Sequence, residues 1–110
     1  MAEYVQVSTA TETRGQAVEL ARSVVTGRLA AGAQIVGPVV SVFWHEGRFG
    51  TGEEWQLLLK TRTDRYAELE SRLLRDHPWK NPEVSAVPIV AGSAAYLRWV
   101  SAIVGPPESE

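Results

Sequence analysis

The chain contains no cysteine. That excludes disulfides, thiolate nucleophiles and Cys-based zinc sites. Met1 is its one methionine, so soft Cu(I) ligation has almost no donors to use. Histidine is scarce too: His45 and His77 form neither H-x-x-x-H nor H-E-x-x-H, and a lone histidine is a weak ligand signal. No apolar run approaches the ~20 residues of a membrane span. The start, MAEYVQVST, has no basic segment leading into an apolar one, so no signal peptide and no membrane partner are expected, and the expected location is cytoplasmic. The net charge is −2 with no basic run, which argues against nucleic acid as a partner. No serine lies in G-x-S-x-G, and no glycine-rich loop leads from a strand into a helix. No catalytic constellation is visible, and an enzyme is not expected.

What is present is a long hairpin pattern within residues 34–63. Val39 to Trp44 is dense in β-branched and aromatic residues, as strands prefer. Gly47, Gly50 and Gly52 fall within Glu46–Gly52 and mark a reversal over that stretch. Trp55 to Lys60 returns. Arms of about ten residues span about 33 Å, which is long for one domain of 110 residues. Such a hairpin needs another surface to lie on, most simply another copy of the chain. A single domain, 1–110, is expected, with an ordered core over about 4–104.

The rest follows in order. Tyr4 to Ala10 alternates as a first strand. Thr13 and Gln16 fit a capping box, with Thr9 and Glu12 as a rival register. Ala17, Leu20, Ala21, Val24, Val25 and Leu29 recur at helical spacing, predicting a helix that ends near Ala31 with Gly32 just beyond it. Pro38 predicts a bulge or an edge position. Thr63 or Asp64 caps a second helix, striped by Tyr66, Leu69, Leu73 and Leu74, with Glu68, Glu70, Arg72 and Arg75 toward water. It stops by His77, ahead of Pro78. Val84 to Val90 reads as an edge strand interrupted by Pro88. Ser93 caps a third helix carrying Leu97, Val100 and Val104, its apolar face widened by Tyr96, Trp99 and Ile103. Pro106 and Pro107 end order, and residues 108–110 fray. The order βαββαβ plus a terminal helix is an α+β, ferredoxin-like sandwich.

The candidate polar groups have plain readings. His45 reads as a surface or interface imidazole, and His77 as a complement to its helix dipole. Glu54, Gln56, Leu58 and Lys60 share a strand face; with Glu53 they read more simply as a salt-bridging surface than as acid–base machinery. Trp44, Trp55, Trp79 and Trp99 read as core or interface.

Several stretches together resemble the CutA family, the divalent-cation tolerance proteins. They are Arg28-Leu29-Ala30-Ala31, Glu46-Gly47-Arg48, Glu54 through Thr61, His77-Pro78-Trp79, Pro82-Glu83 and Tyr96-Leu97-x-Trp99. They fall in family order over about Val5 to Val104. Three positions depart: Gly32 where the family often has cysteine, His45 where it often has tryptophan (Trp44 stands one place earlier), and Trp79 where it has tyrosine. The resemblance implies a PII-like homotrimer, a role in tolerance of divalent metals, copper above all, no enzymatic activity and no required cofactor. It implies clefts between protomers that gather Lys60, His77, Glu83 and Glu54, with Lys60, Trp44 and Tyr96 as an anion-binding side.

His77 and Glu83 flank a loop stiffened by Pro78 and Pro82. Imidazole and carboxylate suit Cu(II) or another borderline divalent cation. Two donors make a poor site, so Glu54 or His45, from the same or a neighbouring copy, or waters, would have to complete it. Binding of roughly micromolar affinity or looser is expected, about 8 kcal/mol or less. The alternative function is a PII-like signalling or scaffolding module that binds a small anion through Lys60, or a partner protein.

Overall fold

The computed structural model describes residues 2–105; the expected end of order at Pro106 and Pro107 and the fraying at 108–110 lie outside them. Strand β1, Tyr4–Thr11, alternates cleanly, so Val5, Val7, Thr9 and Thr11 are buried on one face. Helix α1, Arg14–Thr26, opens on the expected capping box: the Gln16 amide donates to Thr13 Oγ1 at 3.1 Å, and the Gln16 side chain accepts from the Thr13 amide at 3.2 Å. Ala17, Leu20, Ala21 and Val24 lay its apolar stripe on β1 and its neighbour.

The helix stops earlier than predicted. Its cap is Gly27, and Arg28 takes φ 60°. The Arg28 amide donates to Val25 O and the Leu29 amide to Val24 O, the paired bonds of a Schellman closure. Leu29, Ala30 and Ala31 are therefore a buried turn, and Gly32 begins the next strand.

Strand β2, Gly32–His45, and strand β3, Arg48–Arg62, form the hairpin. The reversal needs only Glu46 and Gly47, both at positive φ (52° and 77°), as a two-residue primed turn requires. Gly50 and Gly52 are strand residues instead. They leave room for Phe43, paired opposite Gly50: a Cβ at Gly50 would stand 2.8 Å from the Phe43 ring. The expected bulge interrupts the register between Val36 and Val39 around Pro38. The hairpin carries the molecule to a length of 49 Å against 26 and 22 Å across.

After a 3-10 turn over Thr63–Arg65 comes α2, Tyr66–Asp76. Neither predicted cap serves. Thr63 Oγ1 donates to Ala2 O, and Asp64 is held by the Arg62 guanidinium at 2.7 Å. Leu69 and Leu73 are buried, whereas Leu74 is half exposed. Arg72 turns from solvent toward α1, where Nη1 donates to Ser23 Oγ at 3.3 Å. Strand β4, Ser85–Pro88, ends at its proline rather than at Val90; the Ile89 amide makes one last bond to Tyr4 O. Helix α3, Ala94–Val104, is capped by Ser93 as expected.

The sheet order is β2-β3-β1-β4, all antiparallel, so β2 and β4 are the edges. This is the ferredoxin-like arrangement. Helices α1 and α2 cover one face over Val7, Leu57 and Leu59. Helix α3 meets Tyr4, on the alternate face, where Val100 and Val104 pack with Ala31 and the Tyr4 hydroxyl bonds Ser101 Oγ at 2.6 Å.

Candidate functional site

His77 ends α2 through its amide, which donates to Leu73 O. Its side chain is buried and doubly committed. One ring nitrogen, Nε2, lies 2.8 Å from Ala10 O; a carbonyl only accepts, so Nε2 carries the proton. The other, Nδ1, accepts from the Trp79 amide at 3.0 Å. A neutral Nε2–H imidazole with no spare lone pair results. The ring also lies 5.2 Å from that of Trp79. His77 is thus a structural pin rather than a charge facing the helix dipole, and no donor atom remains for a metal. Glu83 is exposed and accepts from Ser85 Oγ at 2.7 Å. No ion pair joins it to Lys60 or an arginine among the described residues. Among those residues no three His, Asp or Glu side chains come together as a metal would require.

The pinned loop has another use. β1 pairs with β3 only as far as Thr11 opposite Trp55; toward the tip β3 is paired with β2 alone, and its other edge is free. The loop after His77 flanks that free edge and helps enclose a cleft of about 890 Å³. Pro78, Trp79 and Lys80 come to it from the loop, and Phe43, Trp44 and His45 from the hairpin. Glu54 also lines it and accepts from Ser41 Oγ at 2.9 Å. His45 sits at the exposed tip, 3.8 Å from Glu46.

Of the residues singled out from the sequence, the structure brings His45, Trp44 and Glu54 to this cleft. Lys60, paired with Gly32 and Gln6 in register, and Tyr96 on α3 lie outside it, as does Glu83. None of the four tryptophans is fully buried, so none serves as core; Trp44 is 75 % exposed. Sequence reasoning missed Phe43 and Trp79 as lining residues. Two signals pointed to them: glycines spaced two apart opposite an aromatic, and an aromatic directly after His-Pro.

A smaller depression, about 420 Å³, lies where α1 meets the end of α2, lined by Gln16, Glu19, Ser23 and Asp76. The Arg75 guanidinium, with Ser23 and Arg72, holds the Asp76 carboxyl below its ordinary range. That carboxylate is already neutralised.

The family described as CutA1 divalent ion tolerance protein matches residues 5–103. The chain is 38% identical over 81 residues to Protein CutA 1, chloroplastic, of rice (Oryza sativa subsp. japonica), covering 74% of this chain and 46% of that protein; it thus spans about half of that relative's length. The divalent cation tolerance protein of Thermus thermophilus superposes with a TM-score of 0.89 at 31% identity, over 93% of this chain and 99% of the other. The CutA structure from Archaeoglobus fulgidus, described as periplasmic, superposes with a TM-score of 0.88 at 27% identity, over 92% and 98%.

Proposed function

The chain belongs to the CutA1 divalent ion tolerance family, and on that premise we propose that it acts in cation tolerance as a closed, PII-like trimer. In this reading it holds Cu(II) or another divalent cation weakly, at clefts between protomers, and performs no catalysis. The observation that carries the reading is the hairpin. Val40, Val42, Trp44 and Phe49 stand 63–75 % exposed along arms that outrun the core. An apolar, unpaired edge of this length invites association, and cyclic closure satisfies it without leaving open ends.

The same geometry bears on the cation. One protomer offers no three-donor group among the described residues. In register His45 stands six residues beyond the partner of Glu54, roughly 20 Å along the hairpin, so a useful site draws His45 and Glu54 from different protomers, with a further carboxylate such as exposed Glu83 or waters. Imidazole and carboxylate donors suit Cu(II) and comparable ions. Among the described residues no helix is long and apolar enough to cross a membrane; a cytoplasmic location belongs to the same proposal. A second reading rests on Lys60, half-buried with no ion-pair partner among the described residues: a signalling or scaffolding module that takes a small anion there.

A calorimetric Cu(II) titration tests the first reading. The parent binds with a Kd of roughly micromolar or looser, and His45→Ala or Glu54→Gln weakens it at least tenfold. Unchanged binding in both variants, or a phosphate or carboxylate response lost on Lys60→Ala, moves the second reading ahead.

A further inference from the structure

The cleft beside β3 has a chemical character that a divalent metal does not use. Two aromatic side chains line it, Phe43 on the hairpin and Trp79 on the loop; Trp44, paired with Phe49, turns its ring to the other face of the hairpin. The Glu54 carboxylate lines the same cleft. One of its oxygens accepts from Ser41 Oγ, which fixes the group, and no lysine or arginine lies within ion-pair distance among the described residues. The carboxylate therefore keeps acceptor sites for a further donor. Aromatic faces around it attract a cation that is also flat and weakly hydrated.

The aromatic walls are built in rather than adaptable. Trp79 is set by its amide bond to His77 Nδ1, by the His77 ring beside it, and by Pro78 before it. Phe43 is seated across Gly50, where a side chain would collide with its ring, and reaches toward Gly52. Pre-set walls lower the ordering cost of binding.

We propose that this cleft binds a guanidinium group, stacked on the Trp79 ring and hydrogen-bonded to Glu54. A guanidinium offers planar N–H donors to the carboxylate and a face to the indole at once. A lysine-type ammonium is more strongly hydrated and presents no face. Lys80, which also lines the cleft, carries a positive charge of its own and opposes a second cation beside the first. The proposal is separate from cation tolerance, although both use Glu54.

The test titrates the assembled protein at fixed ionic strength with L-arginine, with N-acetyl-L-arginine amide, and with L-citrulline and L-lysine as controls, following the Trp79 indole N–H resonance. Saturable binding of arginine, at least tenfold tighter than citrulline and lysine, supports the proposal. Binding of both arginine forms marks recognition of the guanidinium alone, whereas binding of only the blocked form points to an arginine within a peptide. Glu54→Gln keeps an acceptor for Ser41 and is expected to weaken binding tenfold or more, as is Trp79→Leu. His45→Ala should leave arginine binding intact while lowering Cu(II) affinity, and Trp79→Leu should do the reverse, so the two readings fail separately. No saturable response, equal binding of citrulline, or indifference to Glu54→Gln overturns the proposal.

Discussion

His77 Nε2 donates to the main-chain oxygen of Ala10 at 2.8 Å, and this bond ties the end of α2 to the last residues of β1. His77→Ala leaves that buried carbonyl and the Trp79 amide without partners. A loss of about 1–3 kcal/mol is expected, read as a lower urea midpoint at unchanged slope and fixed protein concentration. Nitrogen NMR should show Nε2 protonated and Nδ1 bare. The Cu(II) isotherm of the variant should match the parent's, because neither ring nitrogen is available to a metal.

Gly50 and Gly52 lie on the same strand and predict opposite outcomes. A Cβ at Gly50 would meet the Phe43 ring at 2.8 Å, whereas one at Gly52 stands 4.0 Å away. Gly50→Ala should destabilise by about 1–3 kcal/mol through overpacking and displacement of the ring. Gly52→Ala should be neutral or stabilising by up to about 1 kcal/mol, since it restricts the unfolded chain without a clash. Denaturant melts of the pair decide this; equal effects would contradict the seating of Phe43.

Arg28 holds φ 60° at the position after the α1 cap, where an L-residue costs about 1–2 kcal/mol and glycine does not. Its side chain is exposed. Arg28→Gly should therefore raise stability by about 1 kcal/mol, partly offset by the looser unfolded chain. A clear fall in melting temperature would show that the arginine side chain contributes a contact of its own.

Burial, and then the hydrogen bond to Glu70 at 3.0 Å, push the Tyr66 hydroxyl above its ordinary value of 10.0. The unfolded chain therefore ionises first as pH rises. The stabilisation is complete below about pH 10 and is lost as pH climbs through the raised value. Tyr66→Phe should flatten the alkaline limb of the stability profile while leaving its slope near neutrality unchanged.

These residues also show how far the sequence could be read. The capping box at Thr13 and Gln16, the alternation of β1 and the stripes of the helices are local patterns, and local patterns were legible. The bulge at Pro38 followed from a missing donor. The end of α1 was not legible, because a Schellman closure normally advertises itself with glycine and here Arg28 occupies that position. The extent of β3 was obscured for the opposite reason: Gly50 and Gly52 suggested a wide turn, but they serve a tertiary contact with Phe43. At the site, His45, Glu54 and Trp44 were named from the sequence and share one cleft. The pinning of His77 was not legible because both of its ring partners are main-chain groups, on Ala10 and Trp79. Backbone acceptors and donors have no sequence signature.

Native mass spectrometry with and without Cu(II) tests the central claim most directly, because it weighs the assembly and counts the metal together. The protomer is 12.1 kDa, so a closed trimer weighs about 36 kDa. The account predicts that species at micromolar concentration, with Cu(II) carried by the trimer and absent from any dissociated protomer. A 12.1 kDa species that binds Cu(II) as well as the parent preparation does would contradict it.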